Sequence, residues 1–279
     1  MKLIRRLFGF SHMSGTVYGA TDVGRIRKNN EDCFLIRPEK NLFIAADGMG
    51  GHNAGEVASA KAVESVDKYF TRGLVSEIMG DGQKIERELI LSLHDAHKKV
   101  HEMAKNKSEY RGMGCTIVVA FIDDNTLHVC HVGDARAYLC NDKGIRLLTD
   151  DHSVVMSIVK AGNMTIEEAR TSPIKNELTQ AIGGPGTIEP DHNHYPLKNR
   201  DKILLCSDGL WDMLADRVIY EIIKRNKPAK TICEELIVMA NKAGGKDNIT
   251  TVLAVHKARD DVFQKEDTLD MQKDFIEAE

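Results

Sequence analysis

Residues 42–52 read LFIAADGMGGH, an apolar run followed directly by an aspartate and a glycine-rich loop. The run 42–46 has the length and composition of a buried strand, and Asp47 stands at its end. The three glycines within 48–51 carry no side chain, so backbone carbonyls and small ligands can approach the chain closely there. Asp-Gly is also a common turn dipeptide. Taken alone, this stretch leaves a metal site and an ordinary turn both open.

Three further segments, far apart along the chain, also place an acidic residue beside glycine or asparagine. They read NED at 30–32, SDG at 207–209 and KDN at 246–248. A carboxylate at the end of a buried strand is costly unless it is exposed or paired. Mg²⁺ and Mn²⁺ prefer carboxylate, carbonyl and water oxygens as ligands. The four segments together therefore predict a divalent-metal site and a metal-assisted hydrolase.

Composition excludes several other classes of protein. The chain has 279 residues, 42% of them apolar and 29% charged, with a net charge of −4. It is long enough to bury a core without disulfides, and it lacks the basic excess of a nucleic-acid-binding protein. No run approaches the ~18–20 apolar residues of a membrane span. The six cysteines form no Cys-x-x-Cys pair, and we interpret them as reduced thiols of a cytoplasmic protein.

The two ends of the chain differ from its middle. Residues 1–14 are basic and apolar and are interpreted as an N-terminal tail, with an amphipathic membrane-surface segment as the alternative. Residues 258–279 carry three basic and eight acidic side chains and are predicted to form an acidic C-terminal tail. Residues 15–257 are predicted to form one catalytic domain.

The order of predicted elements indicates an α+β fold. Strands are predicted near 15–20, 33–37, 41–46, 116–122, 127–132, 136–140, 145–148, 202–206 and 249–256. Helices are predicted around 62–70, 84–105, 212–225 and 229–242, with 71–82 as a connection. Short turns between successive strands imply antiparallel pairing. We expect a four-layer α-β-β-α sandwich, two antiparallel sheets flanked by helix pairs. Residues 150–190, with a short helix near 165–170, are expected to form a surface excursion over the site.

Eight short motifs follow one another in order along this domain. They read GRIRKNNED at 24–32, ADGMGGH at 46–52, GCT at 114–116, VGDAR at 132–136, LTDDH at 148–152, LTQAIG at 178–183, CSDGLWD at 206–212 and KDNIT at 246–250. The series resembles the metal-dependent Ser/Thr protein phosphatases of type 2C, the PPM family, over about residues 16–256. The form of the second motif, with Met49, is similar to that of the bacterial branch.

The resemblance implies two Mn²⁺ or Mg²⁺ ions per chain, held by Glu31, Asp47, Gly48, Asp208 and Asp247. Asp47, Asp208 and Asp247 would hold one ion, and Asp47 would bridge to the second. That second ion would also bind the Gly48 carbonyl and Glu31, directly or through water. Asp134 matches the position that helps to hold a third ion in bacterial members, and a turn aspartate is its alternative interpretation. Asp32 and Asn248 are expected to orient ligands or water.

The implied reaction is hydrolysis of phosphoserine and phosphothreonine in proteins, by attack of a water or hydroxide that bridges the two metals. Arg27 is the candidate clamp for the phosphoryl oxygens, because a guanidinium donates two parallel hydrogen bonds. Eukaryotic relatives carry a histidine, proposed as the general acid, where this chain has Met49. His52 is therefore a candidate acid, with a structural histidine or a water proton donor as alternatives. Asp151 and His152 are assigned no catalytic role.

The implied partners are phosphorylated proteins and an opposing Ser/Thr kinase, and the protein is expected to be a monomer. Residues 150–186 would form a flap that influences substrate choice. Three rival functions stay open at this point. A phosphodiesterase or nuclease is disfavoured by the lack of a basic face, and a catalytically dead binding module by the presence of Asp47, Asp208 and Asp247. A structural Ca²⁺ protein is disfavoured because no Asp-x-Asp-x-Asp-Gly loop occurs.

Overall fold

A computed structural model of the chain describes residues 16–50 and 54–258. The strands of the described part are β1 Thr16–Asp22, β2 Asp32–Arg37, β3 Leu42–Met49, β4 Gly114–Asp123, β5 Thr126–Val132, β6 Arg136–Asn141, β7 Gly144–Leu147, β8 Asp191–Pro196, β9 Lys202–Cys206 and β10 Ile249–Val255. Its helices are α1 Gly55–Tyr69, α2 Arg72–Ile78, α3 Gly82–Asn106, α4 Val154–Lys160, α5 Ile166–Thr171, α6 Asp208–Trp211, α7 Asp216–Ile223 and α8 Ala229–Lys242. Single 3-10 turns lie at Pro38–Lys40 and Ser108–Tyr110.

The strands form two five-stranded sheets in which every recorded pairing is antiparallel. The first sheet has the order β1-β10-β9-β6-β7, and the second has the order β2-β3-β4-β5-β8. Helices α1 and α3 contact the second sheet, whereas α7 and α8 contact the first. The predicted α-β-β-α sandwich with two antiparallel sheets is therefore confirmed.

The side chains of β3 show how the four layers are built. Successive residues of a strand point to opposite faces, so Leu42 and Ile44 pack against the helices while Phe43 and Ala45 pack between the sheets. Both faces are buried, which explains why the run is continuously apolar rather than alternating. Asp47 continues the inter-sheet face of the strand beyond Ala45, so its carboxylate lies where the two sheets meet at one end of the sandwich.

Several predicted boundaries were wrong. Residues 71–82, expected to be a connection, contain the helix α2, whose first turn is capped by the Thr71 hydroxyl accepting from the Leu74 N–H. The helix is stabilised by burial of Val75 and Ile78, which outweighs the cost of Gly73 in its first turn. The helix predicted from 212 begins at Asp216, after the separate short helix α6.

The excursion after residue 150 is more regular than expected. The predicted helix near 165–170 is α5, and its N-terminus has a capping box between Thr165 and Glu168. Helix α4 and the strand β8 were not predicted from the sequence. β8 is an edge strand that is largely polar and ends in a proline, both of which are common at sheet edges.

The predicted tail 1–14 lies outside the described residues, as does the acidic tail beyond Ala258. All six cysteines are free thiols. Within residues 16–50 and 54–258, no helix is both long and apolar enough to cross a lipid bilayer.

Candidate metal centre

One end of the sandwich gathers acidic side chains from four distant segments. Asp47 lies near the end of β3, Asp208 follows the last residue of β9 by two positions, and Asp247 precedes β10 by two residues. β9 and β10 are antiparallel neighbours, so the end of one and the start of the other meet at the same edge. Glu31 immediately precedes β2, which pairs with β3 so that Asp32 stands opposite Asp47.

These segments enclose a pocket of about 240 Å³. Its lining comprises Arg27, Glu31, Asp47, Gly48, Met49, Gly50, Thr116, Asp134, Asn176, Leu178, Asp208, Asp247 and Asn248. Every residue predicted to hold a metal is thus in one pocket, together with the predicted phosphate clamp. Asp32 lies behind the pocket wall, and His52 falls outside the described residues.

The environment of the pocket raises the pKa values of its carboxyl groups and so disfavours their charged forms. Burial raises the pKa of Asp47 well above its usual range, and the neighbouring carboxylates Asp32 and Asp208 raise it further. Burial also raises the pKa of Asp208 to about 6, again with a contribution from Asp247. The pKa of Asp134 is raised in the same direction, by burial and then by Asp208. Ionised carboxylates this close repel one another unless cations lie between them.

Three buried oxygens around the pocket have no hydrogen-bond partner, namely Asp208 Oδ1, Asp32 Oδ1 and Thr116 Oγ1. Buried polar atoms without partners are rare and call for an explanation such as an ion. The donor set contains only oxygen atoms and carries a large negative charge. This chemistry fits a small hard divalent cation such as Mg²⁺ or Mn²⁺.

The glycines of the Asp-Gly motifs allow the strand ends to pack closely. A Cβ on Gly48 would lie 2.1 Å from the Gly55 carbonyl oxygen and 2.5 Å from the Glu31 carbonyl oxygen. A Cβ on Gly209 would lie 2.0 Å from the Asn248 carbonyl oxygen. These distances are too short for any side chain, so glycine is required for the backbones that carry the carboxylates to meet.

Asn248 fixes the loop that carries Glu31. Its Oδ1 accepts a hydrogen bond of 2.8 Å from the Glu31 N–H, and its Nδ2 donates bonds of 2.9 Å to the carbonyls of Val23 and Asn29. Asp32 accepts a bond of 2.7 Å from the Ser207 hydroxyl, which joins the two sheets behind the carboxylates. Burial raises the pKa of Asp32 to about 7. Both side chains contact the segments that carry the predicted metal ligands.

Arg27 lies at the mouth of the pocket with about half of its side chain exposed. Its Nη2 donates a hydrogen bond of 2.6 Å to Asp247 Oδ2. Burial alone would lower the pKa of Arg27, but the charge of Asp247 and its hydrogen bond raise it overall. The guanidinium is therefore fully charged and is tethered beside the carboxylates.

The loop that carries Asp134 is held by residues that the sequence analysis did not select. The Trp211 indole N–H donates a bond of 3.1 Å to the Asp134 carbonyl. The guanidinium of Arg136 lies 3.7 Å from the centre of a Trp211 ring. Arg136 also donates two bonds, of 2.9 and 2.6 Å, to the carboxylate of Asp151. A buried ion pair of this kind forms through tertiary packing. The one hint in the sequence is an arginine within an otherwise apolar strand.

His152 contacts the same loop from the other side. Its backbone N–H donates to the Gly133 carbonyl at 3.0 Å, and its Nδ1 accepts from the Gly133 N–H at 3.2 Å. His131, His152 and Asp191 each offer a ligand atom within 4.8 Å of the others. The His152 Nδ1 lone pair is used by Gly133, so the neutral ring carries its proton on Nε2 and donates to Asp191 at 3.2 Å. Hydrogen bonds therefore account for this trio without a metal ion.

Comparison with known proteins identifies the family. The family model for protein phosphatase 2C matches residues 25–254. The serine/threonine phosphatase stp of Listeria innocua is 36% identical over 249 residues, which cover 86% of this chain and 97% of that protein. The solved S. agalactiae serine/threonine phosphatase has a TM-score of 0.80 at 34% identity, covering 88% of this chain and 100% of that one.

A further solved relative contains metal. The catalytic domain of the serine threonine protein phosphatase PstP, in complex with 2 manganese ions, has a TM-score of 0.76 at 29% identity and covers 87% of this chain and 98% of that one. The resemblance noted in the sequence is confirmed over nearly the whole described domain. The chain belongs to the protein phosphatase 2C family.

Proposed function

We propose that this chain is a metal-dependent protein serine/threonine phosphatase, which hydrolyses phosphoserine and phosphothreonine in proteins. The observation that carries this proposal is the convergence of Glu31, Asp47, Asp208 and Asp247 with Arg27 in one pocket. Membership of the protein phosphatase 2C family supports it. The acidic pocket would repel a phosphate dianion by itself, so the reaction requires cations as well as the arginine.

Glu31, Asp47, Asp208, Asp247 and the Gly48 carbonyl would hold two Mn²⁺ or Mg²⁺ ions, and Asp134 would contribute to a third. When bound, two such ions would offset the charge of the phosphate and activate water for in-line attack on phosphorus. The raised pKa values and the unpartnered Asp208 Oδ1 support cation binding at this place.

Arg27 would bind the phosphoryl oxygens at the pocket mouth. Its bond to Asp247 Oδ2 uses one N–H of Nη2 and aims the guanidinium at the carboxylates. A guanidinium has five N–H donors in a fixed plane, so it can hold Asp247 and a phosphate at once. Asn248 would keep Glu31 in place through the bond it accepts from the Glu31 N–H, and Asp32 would hold the segment of Asp208 through its bond from Ser207.

The source of the leaving-group proton is a separate part of the proposal. Met49 lines the pocket, but a thioether carries no titratable proton. We retain His52 as the candidate general acid, with water as the alternative donor. Replacing His52 by glutamine distinguishes the two, because only a true acid would alter the alkaline limb of the pH–rate profile.

We also propose the biological setting in outline. The substrates would be proteins phosphorylated on serine or threonine by an opposing kinase, and the free thiols support a reducing, cytoplasmic compartment. We infer a monomer because the large exposed apolar side chains of the described chain are few and scattered. They are Ile26, Leu91, Ile166, Val218 and Val238.

The test is a phosphatase assay on a phosphothreonine peptide, an aryl phosphate and a dinucleotide, with Mn²⁺ or with EDTA. We expect Mn²⁺-dependent phosphate release from the first two substrates, and near-complete loss of that release in Asp208→Asn. Turnover of the dinucleotide alone would indicate a phosphodiesterase. No turnover at all with Mn²⁺ would indicate a binding module, and undiminished activity in the variant would contradict the assigned site.

A further inference from the structure

A second cavity, of about 460 Å³, lies beside the catalytic pocket. Its volume falls within the range of roughly 300–1,000 Å³ that is typical of ligand sites. Helices α4 and α5 provide one side, and α6 with the start of α7 provides the other. Its lining is largely apolar, with Leu147, Val155, Met156, Ile166, Trp211 and Leu214 as its large members. Ile166 stands at the opening, with 55% of its surface exposed.

This cavity adjoins a further pocket, which in turn adjoins the carboxylate pocket. Lys175 and Asp212 line both the apolar cavity and an adjoining pocket of about 250 Å³. That adjoining pocket shares Arg27, Asp208 and Asp247 with the carboxylate pocket. A peptide whose phosphoryl group reaches Arg27 would therefore pass along this path toward the apolar cavity.

We propose that the apolar cavity is a substrate subsite, which receives one large apolar side chain near the phosphorylated residue of the substrate protein. The proposal rests on the proposed phosphatase function, because the peptide is positioned by its phosphoryl group. The position of the cavity beside the catalytic pocket favours a peptide side chain over a free small molecule. The apolar lining favours residues such as leucine, methionine or phenylalanine over charged ones.

The opening of the cavity is spanned by contacts that can be separated at little cost. Arg170 of α5 lies 3.9 Å from Asp216 of α7, and Lys175 pairs with Asp212 beyond α6. The Arg170 side chain is about half exposed, and ion pairs of this kind contribute only about 0–1 kcal/mol. The pair of Arg170 and Asp216 is thus a weak contact that an entering side chain can displace.

Trp211 connects the cavity to the catalytic pocket. Its ring lines the cavity, while its indole N–H holds the Asp134 carbonyl. A side chain in the cavity would therefore contact the residue that positions the Asp134 loop. Trp211 is also the single tryptophan of the chain, so its fluorescence reports on the cavity without interference from another indole.

The kinetic test uses phosphothreonine peptides in an alanine background, with one leucine moved from four residues before the phosphothreonine to four residues after it. At one or two adjacent positions, leucine should raise kcat/KM by about tenfold, as expected for filling an apolar pocket. Ile166→Asp should remove this preference and leave aryl phosphate turnover unchanged, because Ile166 is exposed and outside the catalytic pocket. Val238→Asp, at a similarly exposed position on α8, is the matched control and should retain the preference.

The binding test follows Trp211 emission as a non-hydrolysable phosphonate form of the best peptide is added to the Mn²⁺-loaded full-length protein. The leucine peptide should change the emission in the parent and in Val238→Asp, but not in Ile166→Asp. An effect of leucine below twofold at every position would overturn the proposal, as would an emission change with N-acetyl-leucine amide but none with the peptide. If no substrate releases phosphate, the proposed phosphatase function is wrong. The change in Trp211 emission still tests whether the leucine of the peptide binds in the cavity.

Discussion

Neutralising Asp208 should stabilise the metal-free protein while abolishing its activity. In the folded chain the pKa of Asp208 is raised from 3.8 to about 6, chiefly by burial and by the charge of Asp247. The folded state therefore holds this proton more tightly than the unfolded chain does. Ionisation of Asp208 above its folded pKa costs the metal-free fold about 3 kcal/mol, at 1.36 kcal/mol per pKa unit.

Asparagine has nearly the same shape but no charge, so Asp208→Asn removes this cost. Its amide can also donate a hydrogen bond to a neighbouring carboxylate of the pocket, which an ionised Asp208 cannot do. At pH 7.5 in EDTA, the variant should melt about 6–12 °C above the parent, given the size of the domain. The difference should shrink as the pH falls from 6 and vanish below about 4, where Asp208 is protonated in both states.

Differential scanning fluorimetry with EDTA or Mn²⁺ measures both effects. Mn²⁺ should stabilise the parent by about 2.7 kcal/mol at a hundredfold excess over Kd, and it should stabilise the variant much less. Asp95→Asn is the matched control, since it removes the pair with Lys99 on α3, away from the carboxylate pocket, and should not raise the melting temperature. A metal-free Asp208→Asn that melts at or below the parent would refute the reasoning.

Three further predictions concern the clamp, the glycines and pH. Arg27→Ala should lower kcat/KM for a phosphopeptide by about 10–100-fold, which corresponds to the loss of one charged hydrogen bond. The thermal shift induced by Mn²⁺ should persist in this variant. Loss of that shift would mean that Arg27 acts only through Asp247. Gly209→Ala should abolish folding or lower the melting temperature by more than 10 °C, because its Cβ would overlap the Asn248 carbonyl. Gly73→Ala in α2 should instead stabilise the fold by about 0.5–1 kcal/mol. Thermal melts compare the two variants with the parent, and equal effects of both substitutions would contradict the packing argument. Burial, together with His192 and His194, lowers the pKa of His128 to about 4. The free energy of unfolding should therefore fall by about 3 kcal/mol as the pH falls from 6.5 toward 4, because the unfolded chain binds this proton first. Urea titrations should show that His128→Asn lacks this loss, and parallel pH profiles of parent and variant would disprove it.

The carboxylate centre could be predicted because its residues share a local signal. Asp47 and Asp208 each lie at or just after the end of an apolar run and precede a glycine that allows close backbone contact, and this combination is visible in the sequence. Their meeting place depends on sheet order, which the family resemblance supplied. The metal roles of Glu31, Asp47, Asp134, Asp208 and Asp247 remain predictions that their shared pocket supports.

Other features depend on contacts that no local pattern records. The pair of Arg136 and Asp151 and the indole bond to Asp134 arise only when distant segments pack together. The strand β8 was missed because an edge strand needs no apolar alternation, and α2 was missed because Gly73 and its short length hid the buried stripe. The role of His52 stays a prediction, since it lies outside the described residues.

The most direct test of the central claim is an anomalous difference map from crystals of the full chain grown with Mn²⁺. We expect two strong manganese peaks within the pocket bounded by Asp47, Asp208 and Asp247. An absence of peaks there, or a single peak between His131, His152 and Asp191, would contradict it.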